Sequence, residues 1–191
     1  MTGLILAGGA ARRFGADKAR HCVEGVPMVV RVARAASAVV AGPLLVSVRD
    51  GSARPLPEFP DARYVMDPVA GAGPLGGLHA GLAAAPTPWV LALACDLPFL
   101  TPAVLQTLLA ARTRDVDAVV GRTPDGRLHP LCAVYHRRLA AVAATRLRSG
   151  RRALHGLLAA IRAAPVDLPA GPLRNVNRPA DLDNARRNPY S

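Results

Sequence analysis

Leu4-Ile5-Leu6-Ala7-Gly8-Gly9-Ala10-Ala11-Arg12-Arg13-Phe14-Gly15-Ala16-Asp17-Lys18 begins almost at the first residue of the chain. An apolar run breaks into two glycines, then two arginines, a third glycine and an Asp-Lys pair. This reads as a buried strand that empties into a loop able to approach a ligand closely. Glycine supplies unusual dihedrals and no side chain, while successive backbone N–H groups and the cations supply donors for phosphate oxygens. The loop is not a P-loop, because five residues separate Gly9 from Gly15 and Ala-Asp-Lys follows. Lys18 is the only lysine; the other 23 of the 24 Lys+Arg residues are arginine. A compact ammonium, in place of a planar guanidinium, closes this loop.

The composition around that loop bounds the reading. A length of 191 residues suits one domain over 1–191, able to bury about 70% of the surface its unfolded form exposes. The chain is 51% hydrophobic and only 4% aromatic, so its core is expected to be Ala, Val and Leu. A net charge of +11 invites a polyanionic partner. The arginines are scattered and hardly interleaved with aromatics for base stacking, which favours a small polyanion over nucleic acid. Cys22, Cys95 and Cys132 are odd in number and far apart, which argues against a disulfide framework or a zinc site. Reduced thiols, no secretory leader, no membrane span and a cytoplasmic location are expected.

Further along, helices are expected over 27–40, started by Pro27 with Arg31 and Arg34 exposed, over 78–85, over 102–112, over 137–148, over 153–163 and at the C-terminus. Strands are expected over 44–48, 63–66, 89–94, 117–121, 128–135 and near 173–176. Trp89-Val90-Leu91-Ala92-Leu93-Ala94 is unbroken and apolar, as the centre of a parallel sheet requires. Thr101-Pro102 is a cap and first-turn pair. The alternation of strands and helices predicts one three-layer α/β domain with a mostly parallel sheet. Ligands of such sheets sit beyond the carboxyl ends of strands. That rule gathers the first loop, Asp67, the segment Gly71-Ala72-Gly73-Pro74-Leu75-Gly76-Gly77 and Asp96 around one crevice.

Gly71, Gly73 and Gly76 satisfy G-x-G-x-x-G, and Asp96 stands 20 residues beyond Gly76. Four residues nevertheless separate the preceding strand from Gly71, and Pro74 interrupts the turn, so a dinucleotide fingerprint is not favoured over simple close packing. Asp96 follows a buried strand directly. It is the candidate ligand of a hard cation shared with substrate phosphates, with a loop or capping role as the alternative. His129 is a candidate substrate contact, or a structural histidine; His79 and Cys95 are read as packing residues. Asn175 and Asn177 place two amides on one face, or Asn177 caps the last helix.

Several segments together resemble one family. Leu6-Ala7-Gly8-Gly9, Arg13-Phe14-Gly15 and Asp17-Lys18 are similar to the opening signature of nucleotidyltransferases. Asp67 with Gly73-Pro74-Leu75-Gly76-Gly77, then Ala94-Cys95-Asp96-Leu97-Pro98-Phe99, His129-Pro130-Leu131 and Asn175-Val176-Asn177-Arg178-Pro179-Ala180-Asp181-Leu182, resemble elements of the molybdenum cofactor guanylyltransferases of the MobA type. The resemblance covers residues 4–182. It implies a Rossmann-like nucleotidyltransferase fold and transfer of GMP from GTP to the molybdopterin form of the cofactor, with Mg²⁺ and release of pyrophosphate. By position it implies that Leu6, Ala7, Gly8 and Gly9 hold the nucleotide by backbone and that Lys18 meets its phosphates. Asp67 joins the nucleotide site and Asp96 binds the metal, while Arg13, Gly15, Asn175 and Asn177 hold the incoming cofactor. Catalysis would rest on Lys18, Asp96 and Arg13. Molybdoenzymes or their chaperones are the candidate protein partners. Ala11, Phe14 and Arg49 depart from the family's usual Ser, Met and Asn. A related transferase using CTP or another phosphorylated acceptor, and an inactive nucleotide- or RNA-binding module, are the alternatives.

Overall fold

The computed structural model of the protein describes residues 1–8, 18–48, 55–66, 69, 71–177 and 181, the side chain of Lys18 excepted. Its strands are β1 (Thr2–Leu6), β2 (Cys22–Val23), β3 (Val26–Pro27), β4 (Leu44–Val48), β5 (Arg63–Met66), β6 (Trp89–Ala94), β7 (Ala118–Arg122), β8 (Leu128–His136) and β9 (Ala163–Asp167). The α-helices are α1 (Met28–Ser37), α2 (Pro74–Ala84), α3 (Pro102–Ala110), α4 (Ala140–Arg148) and α5 (Leu154–Leu158).

Seven strands form one sheet in the order β5-β4-β1-β6-β8-β7-β9, and β2 pairs with β3 in a separate hairpin. β1 pairs in parallel with β4 and β6, β4 with β5, and β7 with β9; β8 runs antiparallel to both β6 and β7. The chain therefore builds outward from β1 to β4 and β5, then returns through α2 to place β6 on the other side of β1. This reversal leaves a crevice beyond the carboxyl ends of β1 and β6.

β1 and β6 are buried along almost their whole length because helices cover both of their faces. Ile5, Leu91 and Leu93 point into the layer that holds α1 and α3. Leu4, Leu6, Val90 and Ala92 point into the layer that holds α2, α4 and α5. The three-layer α/β expectation is thereby met. At α3, the Thr101 hydroxyl accepts the Val104 N–H at 3.4 Å and Pro102 occupies the first turn, as expected. Among the described residues no helix is long and apolar enough to cross a membrane.

Five local expectations are corrected. α1 starts at Met28, because Pro27 is held in extended geometry (φ −54°, ψ 138°) by its pairing with Cys22. Arg31 is half-buried; it donates to the carbonyls of Pro98 at 3.0 Å and Val23 at 3.2 Å and to Glu24 at 2.9 Å. α2 begins at Pro74, inside the second glycine segment, since a proline is well suited to a first helical turn. The 153–163 helix is only α5, and the chain then forms β9, an edge strand on which Pro165 is tolerated. Near 173–176 there is no strand but a 3₁₀ turn, Gly171–Leu173, followed by an irregular segment.

α2 lies unusually close to the sheet. A Cβ on Gly77 would stand 2.5 Å from Ser47 Oγ and 3.2 Å from Leu6 Cδ2, and one on Gly81 would collide with the Leu4 side chain. Leu4 is fully buried and has nowhere to move. Gly81→Ala should therefore cost about 1–3 kcal/mol through overpacking, despite the better helix propensity of alanine. The check is a lowered thermal unfolding midpoint; an unchanged or raised midpoint would refute the close-packing account.

Candidate nucleotide site

The site is assembled from segments that leave the carboxyl ends of adjacent parallel strands. Leu6 pairs with Ala94, the last residue of β6, so Ala7-Gly8 and Cys95-Asp96 exit side by side. Two backbone hydrogen bonds extend the ladder past the strands: Ala7 N–H to Ser47 O at 2.9 Å, and Cys95 N–H to Leu6 O at 3.2 Å. Gly73, at φ +66° and immediately before α2, turns the second glycine segment toward the same end of the sheet. Ala72, Leu75 and Leu78 bury themselves in the layer that also holds Leu4 and Leu6.

Asp96 is half-buried and is fixed from across the chain. The Asn175 side-chain amide donates to Asp96 Oδ1 at 2.9 Å. The next backbone N–H, of Val176, donates to the Asp96 carbonyl at 2.9 Å. Val176 is fully buried with Met28 and Val23, with Phe99 against them, so a small apolar cluster pins the segment that carries Asn175. The Asn177 N–H donates to Asp181 Oδ2 at 2.7 Å, orienting the start of the C-terminal stretch. Arg31, through the Pro98 carbonyl, braces the turn after Asp96 from the other side.

Of the residues selected from sequence, the structure thus brings together Leu6, Ala7, Gly8, Asp96 and Asn175. Asn177 lies two residues beyond Asn175. Gly9, Arg13, Gly15 and Asp67, with Ala11, Phe14 and Arg49, lie outside the described residues. Lys18 starts a short 3₁₀ turn, Lys18–Arg20, and its side chain is outside the description. Cys95 is buried, as expected of a packing residue. His79 sits in α2, and its Nδ1 is buried with no hydrogen-bond partner among the described residues.

Arg152 was not selected from sequence. It donates to the Gly71 carbonyl at 2.9 Å and so places a guanidinium against the second glycine segment. The only signal was Arg151-Arg152 directly after Ser149-Gly150, a cationic pair following a turn.

His129 belongs to a network at the β7–β8 hairpin. The Thr123 hydroxyl donates to Asp125 Oδ1 at 2.6 Å, and Thr123 Oγ1 lies 3.0 Å from His129 Nε2. A hydroxyl has one proton. With that proton on the carboxylate, Nε2–H donates to Thr123 and the neutral ring keeps Nδ1 as an acceptor. Burial, then the nearby Arg127, pushes the His129 pKa down; Asp125 opposes this and His155 adds to it. A nitrogen-15 NMR titration should find the Nε2–H tautomer and a midpoint below the ordinary 6.5. An Nδ1–H tautomer, or a midpoint above that value, would contradict the network.

The sheet, with its reversal at β1 and a crevice at that switch point, defines a ligand-binding α/β fold of the doubly wound kind. The MobA-like NTP transferase domain matches residues 3–167, and the chain belongs to that family. It is similar to a probable molybdenum cofactor guanylyltransferase of Opitutus terrae, 36% identical over 98% of this chain and 95% of that protein. It is also 33% identical to the molybdenum cofactor guanylyltransferase of Pseudomonas aeruginosa, over 96% of this chain and 93% of that protein. Among solved structures, molybdopterin-guanine dinucleotide biosynthesis protein A from Archaeoglobus fulgidus shares the fold with a TM-score of 0.78, at 24% identity over 98% of this chain and 97% of that one. The 2-C-methyl-D-erythritol 4-phosphate cytidylyltransferase of Thermus thermophilus shares it with a TM-score of 0.73, at 21% identity over 96% of each chain.

Proposed function

We propose that this chain transfers GMP from GTP to the molybdopterin form of molybdenum cofactor, releasing pyrophosphate. The observation that carries the reading is the Asp96–Asn175 contact of 2.9 Å at the carboxyl end of β6, on a chain whose relatives of that activity match nearly its whole length.

The chemistry needs little proton transfer. The acceptor's terminal phosphate is already ionised near neutral pH; its oxygen attacks the α-phosphorus of GTP as the bond to the pyrophosphate oxygen breaks. What remains is to align the three groups and neutralise charge on the α-phosphate and leaving group. The backbone of Leu6, Ala7, Gly8 and Gly9 borders the nucleotide, with Asp67 in the same site. Lys18 and Arg13 supply positive charge to the reacting phosphates. Gly15, Asn175 and Asn177 border the incoming cofactor, and Arg152 adds a cation at the second glycine segment.

Mg²⁺ fits Asp96 on the chemistry of the donor: a hard carboxylate oxygen, half-buried and held in one orientation by the Asn175 amide. Among the described residues no three acidic, His or Cys side chains gather into a cage, and a single carboxylate plus substrate phosphates is how this ion is commonly bound. When bound, the ion supplies charge neutralisation to the phosphates. Asn175 then acts through Asp96, as a positioning residue.

Pyrophosphate release with GTP, Mg²⁺ and molybdopterin should exceed that with CTP, ATP or UTP; equal or greater release with CTP would overturn the guanylyl assignment. Asp96→Ala should lower kcat by about 100-fold or more with the unfolding midpoint retained, and near-normal turnover would remove Asp96 from the metal site. Lys18→Arg should also lose most turnover, because a planar fork does not replace a compact ammonium; full activity would make the lone lysine incidental. Asn175→Ala removes one charge-assisted hydrogen bond, so about a tenfold fall in kcat is expected, recovered in part at raised Mg²⁺. A change confined to KM for molybdopterin would instead place Asn175 on the acceptor alone.

A further inference from the structure

At the other end of the sheet, a cleft of about 480 Å³ is lined by Trp89, Arg112, Thr113, Arg114, His136 and Arg138. Trp89 is the first residue of β6 and Asp96 lies two residues past its last, so the cleft is about 20 Å from the nucleotide crevice at ~3.3 Å per residue. Three separate segments build it: the start of β6, the α3–β7 connection and the end of β8 with the turn that follows.

Its polar lining is three guanidiniums, an imidazole, a hydroxyl and the indole N–H, with no carboxylate among them. One carboxylate is bonded to this lining and is already engaged. Asp117 accepts from Arg138 at 2.6 Å and from Arg162 at 3.4 Å. Burial pushes its carboxyl up, but the Arg162 N–H and these two guanidiniums outweigh that and hold it at about 2. Arg138 is braced further by the Val116 carbonyl at 3.2 Å. Arg112 spends its Nε on the Leu109 carbonyl at 2.7 Å, closing the end of α3. Arg114 makes no side-chain hydrogen bond or ion pair among the described residues. His136 Nδ1 accepts the Arg138 N–H at 3.1 Å, so in the neutral ring the proton sits on Nε2 as one more donor. Its ring meets Trp89 edge-on, with centroids 5.0 Å apart, and this holds the half-buried indole upright as a flat apolar wall.

A cleft of nucleotide size, walled by one aromatic ring and donors with an excess of positive charge, matches a phosphate ester that carries a flat ring. We propose that this cleft binds a nucleotide, apart from the one consumed at the crevice, with its phosphates on Arg112 and Arg114 and its base against Trp89.

Trp89 is the only tryptophan, so its emission reports this cleft directly. The full chain is titrated with ADP at constant ionic strength, without divalent metal. A saturating change in emission is expected, with inorganic pyrophosphate competing against it. Arg114→Glu, which breaks no side-chain bond among the described residues, should raise half-saturation by about tenfold or more with the unfolding midpoint unchanged. Arg112→Ala with Arg114→Ala should abolish saturation, while Lys18→Ala should leave it intact. A linear response, or the same half-saturation in Arg114→Glu, would overturn the proposal. So would loss of the response in Lys18→Ala with retention in the arginine variants, since the signal would then come from the crevice. Failure of the guanylyl-transfer assay does not bear on this titration.

Discussion

The site depends on β1 being hydrogen-bonded in parallel on both sides, to β4 and to β6. The chain leaves β1 for β4 on one side and returns through α2 to β6 on the other, with α1 and α3 in one layer and α2 in the opposite one, so a crevice remains beyond the carboxyl ends of β1 and β6. The ladder runs one step past the strands, through Ala7 and Cys95, so the floor of the crevice is backbone held at sheet spacing. α2 can bring the second glycine segment to this floor only because Gly77 and Gly81 present no side chain to Ser47, Leu6 and Leu4.

A second constraint comes from far along the chain. Asn175 and Asp96 are separated by 79 positions, yet one amide and one carboxylate oxygen meet at 2.9 Å. The apolar cluster of Val23, Met28 and Val176 supplies the burial that holds the segment in place, and the two hydrogen bonds to Asp96 set its register. Packing therefore carries the cost of ordering, and the polar contact is left to orient the carboxylate. The same sheet serves two ends with different chemistry: backbone amides and an oriented acid at one, an arginine-lined cleft around Trp89 at the other.

Much of the architecture was legible because its determinants are local. β6 is a contiguous apolar run, β1, β4 and β5 are short, mostly apolar segments, and Thr101-Pro102 announces α3. β9 was not legible: Ala163-Ala164-Pro165-Val166-Asp167 has no clear alternation, its alanines favour helix, and what makes it a strand is the parallel partner β7, 45 positions back at Arg122 and Asp167. The start of α2 was obscured because Pro74 reads as a turn residue until the helix around it is seen. At the site, Asp96 could be selected from its place after β6, whereas its coupling to Asn175 rests on a non-local contact that no spacing displays. The Trp89 cleft was hidden for the same reason, since residues 89, 112–114 and 136–138 meet only in the folded chain. The family resemblance supplied the rest, and near-full-length relatives bear it out.

The central claim is that Asp96, held by Asn175, carries the metal for nucleotidyl transfer. Crystals grown with GTP and Mn²⁺ in place of Mg²⁺ test it most directly through anomalous scattering. The account predicts a manganese peak within about 2.5 Å of an Asp96 carboxylate oxygen, with the Asn175 amide still on that side chain. A peak bound by other residues, with Asp96 turned away from the nucleotide, would contradict it.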